Sequence, residues 1–220
     1  MEELTLLGER AVQAKYELQR MTTEKKNEVL EAVAEALIQN TEYLLLENHK
    51  DLERGIANQM NPGLVDRLRL TKERIAGMAE GIRQIVKLPD PVGEILDDYE
   101  AENGLHIVKK RVPMGVIGII YESRPNVTAD AFGLCFKSGS AVILKGGSDA
   151  IRSNMAITKV IQDAVVRRGV DPYVIQLIES TDRSVVNEFM KMKQYVDLLI
   201  PRGGAGLIRN VVENLSLIHI

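Results

Sequence analysis

Two short glycine turns carry the residues best suited to chemistry. Lys145-Gly146-Gly147-Ser148 and Arg202-Gly203-Gly204 each set a cation beside paired glycines. Glycine lets a backbone come close to a ligand, and a turn that opens a helix offers free N–H groups to an anion. Ser148 stands where its side chain can cap the helix that follows. Two such turns suit a phosphorylated ligand; the plainer alternative for each is a tight turn with a surface cation. Neither is a standard fingerprint, because the chain contains no GxGxxG and no GxxxxGK[ST]. The single thiol, Cys135, lies among Phe132, Leu134 and Phe136, without the basic neighbour or helix N-terminus that activates a nucleophile. It reads as core, as does His49 on an apolar helical stripe. Three scattered histidines and one cysteine give no paired ligand spacing, so no metal site is expected.

The elements that must position these turns are short. Val116–Ile120 and Ala141–Leu144 are β-branched apolar runs, too brief for helices, and read as strands buried on both faces. Between them, residues 126–138 have the length of a crossover helix, with Ala131, Leu134, Cys135 and Ser138 at helical spacing. Strand, helix and strand make a βαβ unit and force parallel pairing. Val174–Ile178 and Val196–Ile200 are two further strands, with helices over 149–168 and 183–192 and a last one through Asn210. The fold class is therefore α/β, a doubly wound, mostly parallel sheet. Both glycine turns follow strands, and in such sheets ligands bind outside the strands' carboxyl ends.

Residues 1–90 read as helices with apolar stripes. The clearest are Leu4, Leu7, Ala11, Ala14, Leu18; then Leu45, His49, Leu52, Ile56; then Ile75, Met78, Ala79, Ile82, Ile85, Val86. Thr22-Thr23 and Thr71 are the expected caps. Residues 91–112 read as a β-hairpin turning around Glu102-Asn103-Gly104, too charged for a core. It is either an arm for contact with a second copy or a hairpin lying on its own domain. A net charge of −3 and 4% aromatic residues argue against nucleic acid, and no apolar run is long enough to cross a bilayer. One cysteine suits a reducing cytoplasm.

The runs YESRPNVT, LKGGSDA and IPRGGAGLI, in this order and spacing, resemble the γ-glutamyl phosphate reductase family of the aldehyde dehydrogenase superfamily. The resemblance covers residues 1 to about 214. It implies one cofactor domain: helical region 1–90, oligomerisation arm 91–112 and Rossmann-like units 113–214. It implies that Asn126 helps hold a developing oxyanion, and that Lys145 contacts the adenosine ribose or its 2′-phosphate. It further implies that Gly146, Gly147 and Ser148 line the cofactor turn and that Arg202, Gly203 and Gly204 approach the pyrophosphate. Ser148 stands where NAD-preferring relatives often carry a glutamate, which favours NADP. The implied partners are NADPH and an acyl phosphate. In the family's reaction a cysteine thiolate displaces phosphate from γ-glutamyl phosphate, and the thioester accepts hydride from NADPH and collapses to the semialdehyde. That cysteine belongs to a second domain, beyond a stretch resembling PVIETGxGxCHxYVD that this chain lacks. The last residues, LSLIHI, depart from the family and translate CTGTCTCTTATACACATC, a transposon end used in preparing sequencing libraries. The expectation is a non-native tail at 215–220 and a natural reading frame that continues past about Asn214. Competing readings are a stand-alone nucleotide-binding module and an assembly protein built around the hairpin.

Overall fold

The computed structural model describes residues 2–122 and 124–214; the tail at 215–220 lies outside them. Five helices come first: α1 Glu2–Gln19, α2 Thr23–Gln39, α3 Thr41–Ala57, α4 Pro62–Leu68 and α5 Lys72–Lys87. The hairpin strands follow, β1 Ile95–Glu100 and β2 His106–Lys110. Then come β3 Val116–Tyr121, α6 Asn126–Lys137, β4 Ala141–Lys145, α7 Ile151–Arg167, β5 Ile175–Leu177, α8 Arg183–Phe189, β6 Leu198–Arg202 and α9 Ala205–Asn214.

Strands β3 to β6 form one parallel sheet in the order β5-β4-β3-β6. The chain lays β3, β4 and β5 side by side in one direction and then returns to place β6 on the other side of β3. The order thus reverses at β3, which creates the crevice where open α/β sheets bind ligands. Every residue of β3 and β4 is buried, as their unbroken apolar runs require. Helix α6 packs on β4 and α7 on β5, and α1 lies across β3, β4 and β5. Helices α2, α3 and α5 form a further layer on α6 and α7. One hydrophobic core runs from Leu4 in α1 to Val211 in α9.

The expected caps form: Thr22 accepts from the Lys25 amide at 3.2 Å and Thr71 from the Arg74 amide at 3.2 Å. The stripe on α3 needs correction. Its buried residues are Leu44, Asn48, Asp51, Leu52 and Gly55, while His49 and Ile56 are exposed and His49 pairs with Glu53. The helix is rotated because Asn48 and Asp51 bond to backbone elsewhere, which outweighs burying an imidazole. Strand β5 is shorter than expected, since a 3₁₀ turn over Pro172–Val174 takes its first residue. Strand β6 starts later, at Leu198, after Asp197 has fastened its carboxylate and amide to Val116. It therefore includes Pro201 and Arg202, and Pro201 is tolerated because β6 pairs on one side only. Helix α8 stops at Phe189, short of Met192. The hairpin pairs Glu100 with His106 across a loop containing Asn103 and Gly104, and all its strand residues are exposed.

The junction between α5 and the hairpin is pinned by a buried ion pair. Lys26 donates to Asp90 at 2.8 Å and to the Lys137 carbonyl at 3.3 Å, and Thr23 and the Val92 amide also donate to Asp90. Burial pushes the Asp90 carboxyl up, but Lys26 and these hydrogen bonds more than offset it and hold it below the ordinary 3.8. Asp90→Ala would strand a buried ammonium, so chemical denaturation should show a loss of about 3–5 kcal/mol. For the native pair, stability should be full above the ordinary carboxylate value and decline as the pH falls through Asp90's lower one.

Candidate cofactor cleft

The register of the sheet decides where the two glycine turns lie. Ile120 pairs with Lys145 on one side and Pro201 on the other, and Tyr121 pairs with Arg202. Lys145 and Arg202 therefore finish the two strands that flank β3, at the same end of the sheet. Both turns line one cleft of about 840 Å³, which includes Lys145, Gly146, Gly147, Ser148, Arg202, Gly203 and Gly204. Arg67 of α4, Glu122 and Arg124 also line it, as do Val186 of α8 and Leu207 of α9. Two apolar side chains from neighbouring helices thus flank a mouth that carries four cations.

Each turn is built differently from its sequence reading. Lys145 is only 5% exposed and donates to the Gly146 carbonyl at 2.9 Å. Burial pushes its ammonium pKa below the ordinary 10.5. Gly146 is needed for interior packing: a Cβ there would lie 2.2 Å from Asn154 Nδ2 and 3.1 Å from the Tyr121 ring. Beneath it, the Tyr121 hydroxyl shares a hydrogen bond of 2.7 Å with Thr128, which donates to Asn154 Oδ1 at 3.2 Å. Burial raises the Tyr121 pKa, opposed by the bond to Thr128.

Ser148 does not cap α7; its side chain makes no cap bond. The N-terminus of α7 is capped from α3 instead. Asp51 accepts from the Ser153 amide at 2.8 Å, the Arg152 amide at 3.2 Å and the Ser153 hydroxyl at 2.7 Å. Burial pushes the Asp51 carboxyl up, and these bonds with Arg54 oppose it. Arg54 also donates to the Ser148 and Asp149 carbonyls at 2.7 and 3.0 Å, fixing the turn's backbone. A carboxylate already holds those amides, so α7 is not the anion site the sequence suggests. The other turn is different. There the Gly204 amide donates to Glu122 at 3.1 Å, and a Cβ on Gly203 would lie 2.7 Å from that carboxyl carbon. An amide that donates to a carboxylate oxygen can donate to a phosphate oxygen in the same way.

Asn126 lies apart from these turns. It is the first residue of α6, donates to Asp130 at 3.3 Å, and lines a second cleft of about 560 Å³ with Arg67, Arg69, Arg74, Arg124 and Asp130. The two clefts adjoin, because Arg67 and Arg124 line both. Burial raises the Asp130 carboxyl pKa, against the pull of Arg202 and the bond from Asn126. Cys135 is buried, and burial pushes its thiol pKa up to about 12. Among the described residues, no cluster of histidine, cysteine and carboxylate side chains is placed to hold a metal ion. Among them, too, no helix is long and apolar enough to cross a membrane.

The sequence profile of the aldehyde dehydrogenase family matches residues 2–217, nearly the whole chain. The chain belongs to that family. Among its relatives, the γ-glutamyl phosphate reductase of Lachnospira eligens is 55% identical over 217 residues, covering 99% of this chain and 52% of the relative. The Clostridium botulinum (strain Eklund 17B) protein of the same name is 51% identical, with the same coverage. The crystal structure of γ-glutamyl phosphate reductase from Thermotoga maritima superposes with a TM-score of 0.95 at 40% identity, covering 98% of this chain and 52% of that one. The Saccharomyces cerevisiae enzyme gives 0.89 at 29% identity, covering 96% and 54%. The chain thus spans about half the length of the relatives it matches.

As an aldehyde dehydrogenase family member the chain is expected to hold a nicotinamide cofactor, and the cleft's donor set suits one. Four cations face two carboxylates, and the Gly204 amide already binds an oxyanion. Cys135, buried and with its thiol pKa raised, is not placed to act as a nucleophile. In the native chain, Cys135 should stay inert to a disulfide reagent such as DTNB at pH 8 and react stoichiometrically once denatured; prompt reaction of the folded protein would contradict its burial.

Proposed function

We propose that this chain is the cofactor-binding half of an NADPH-dependent γ-glutamyl phosphate reductase, which reduces L-glutamate 5-phosphate to L-glutamate 5-semialdehyde in proline biosynthesis. The observation that carries the reading is the shared cleft: Lys145 and the Arg202–Gly204 turn converge from strands on either side of β3. The relatives' names support the activity, which belongs to the whole protein. When bound, NADPH supplies the hydride. The chain's own residues bind and orient. Arg202 and the amides of Gly203 and Gly204 hold the pyrophosphate, Glu122 yields the Gly204 amide, and Lys145 faces the adenosine ribose and its 2′-phosphate. Gly146, Gly147 and Ser148 form the wall beside it, and no carboxylate stands at Ser148 to repel that phosphate. Asn126, at the adjoining cleft, is the donor for the developing oxyanion. The exposed hairpin, with Ile95, Leu96, Tyr99, Ile107 and Val108 open to solvent, serves as the arm of a homo-oligomer. A cytoplasmic location goes with this reading.

Titration of the 220-residue chain with NADPH and NADH tests it. NADPH should bind more tightly, and Lys145→Ala should weaken NADPH by about tenfold or more while changing NADH less. Equal binding of both, indifferent to Lys145, would remove the NADP assignment, and no binding of either would remove the reading. Because burial lowers the Lys145 pKa, its help to a phosphate should fade as the pH rises through that lowered value, earlier than for a solvated lysine. The chain alone should show no reductase turnover. Turnover abolished by Cys135→Ser would overturn both that expectation and the core role of Cys135.

A further inference from the structure

The cleft beside Asn126 carries arginines to which the cofactor contacts above give no role, and Arg69 and Arg74 line this cleft alone. Four arginines line it, and among the described residues only Arg74 of the four has a carboxylate partner, Asp66. Arg67, Arg69 and Arg124 have none there. Solitary exposed arginines are ordinary, but three around one concavity of about 560 Å³ concentrate a positive field inside it. The segment carrying Arg69 is also held firmly. Leu68 and Leu70 on either side are buried, Asn48 donates to the Leu68 carbonyl and accepts from the Leu70 amide, each at 2.8 Å, and Arg74 donates to the Arg69 carbonyl at 2.7 Å. The loop backbone is therefore fixed while the guanidinium remains exposed to the cleft. Gly77, on the facing helix α5, leaves room: a Cβ there would meet nothing within 4 Å.

We infer that Arg67, Arg69 and Arg124 form the site for the phosphate group of the acyl phosphate substrate. The planar forks of arginine match phosphate oxygens in pairs, which a lysine cannot do. The position fits, since the cleft contains Asn126 and adjoins the cofactor cleft through Arg67 and Arg124. A phosphate held there would leave as the dianion among these arginines, with Asp130 and the Arg74-paired Asp66 also on the wall. This inference rests on the reductase reading of the neighbouring cleft, and Arg69 separates the two because it lines only this one.

The test uses the 220-residue chain with inorganic phosphate as probe, followed by arginine side-chain NMR at low ionic strength, and NADPH titrated separately. Phosphate should perturb the Arg69 Nε–H signal. Arg69→Ala should weaken phosphate by about tenfold with NADPH affinity unchanged, and Arg69→Lys should recover only part of the loss. L-Glutamate, which carries carboxylates but no phosphate, should bind less tightly than phosphate does. Phosphate binding that ignores Arg69→Ala, or Arg69→Lys equal to wild type, overturns the inference while NADPH binding keeps the reductase reading. L-Glutamate bound as tightly as phosphate assigns the arginines to a carboxylate and also overturns it. Phosphate binding through Arg69 without NADPH binding upholds the arginine site and overturns the cofactor reading, whereas binding of neither overturns both.

Discussion

Pairing of β3 on both edges is the constraint on which the rest of the molecule depends. Because β4 and β6 flank the same strand in parallel, the residues ending both are brought level with Ile120 and Tyr121. No side-chain contact is needed to bring Lys145 near Arg202; the backbone ladder does it. The cleft then follows from topology, since the turns after β4 and β6, on either side of β3, bring amides, glycines and cations to one mouth.

The helical region is part of this arrangement rather than an appendage to it. Asp51 caps α7 and Arg54 braces the turn after β4, so residues in α3 set the backbone of the Lys145–Ser148 segment. Asn48, on the same face, fixes the loop that carries Arg69. One buried polar stripe thus steadies the walls of two clefts. A buried carboxylate at a helix N-terminus is favourable because the amide dipoles compensate the water it loses.

The sheet was legible because its central strands are buried on both faces and so appear as unbroken β-branched runs. The turn after each strand was equally plain from its glycines. What the sequence hid were partnerships between distant residues. Nothing near Asp51 announces that its carboxylate caps a helix beginning at Ile151, and without that partner Ser148 is the natural capping candidate. His49 is exposed for the same reason: apolar periodicity assigns burial by hydrophobicity, and α3 buries Asn48 and Asp51 because they have bonds to make. Paired glycines suggest room for a ligand, and nothing in the sequence announces that Gly146 must also leave room for Asn154. Glu122 follows β3 directly and could have been noticed as a carboxylate at the cleft, yet its reach to the Gly204 amide depends on β6 lying next to β3, which a linear reading does not fix.

The contact between α1 and the segment ahead of β6 has a kinetic side. Lys15 of α1 bonds Asp197 just ahead of β6, a separation of 182 residues, and a Cβ on Gly8 would sit 2.4 Å from the Tyr195 ring. Helix α1 also packs on β3, β4 and β5, so its apolar stripe of Leu4, Ala11 and Leu18 is covered only once strands far along the chain have formed. Closing so long a loop is entropically expensive and slow. Until those strands form, the stripe is an apolar surface of the kind a holding chaperone binds.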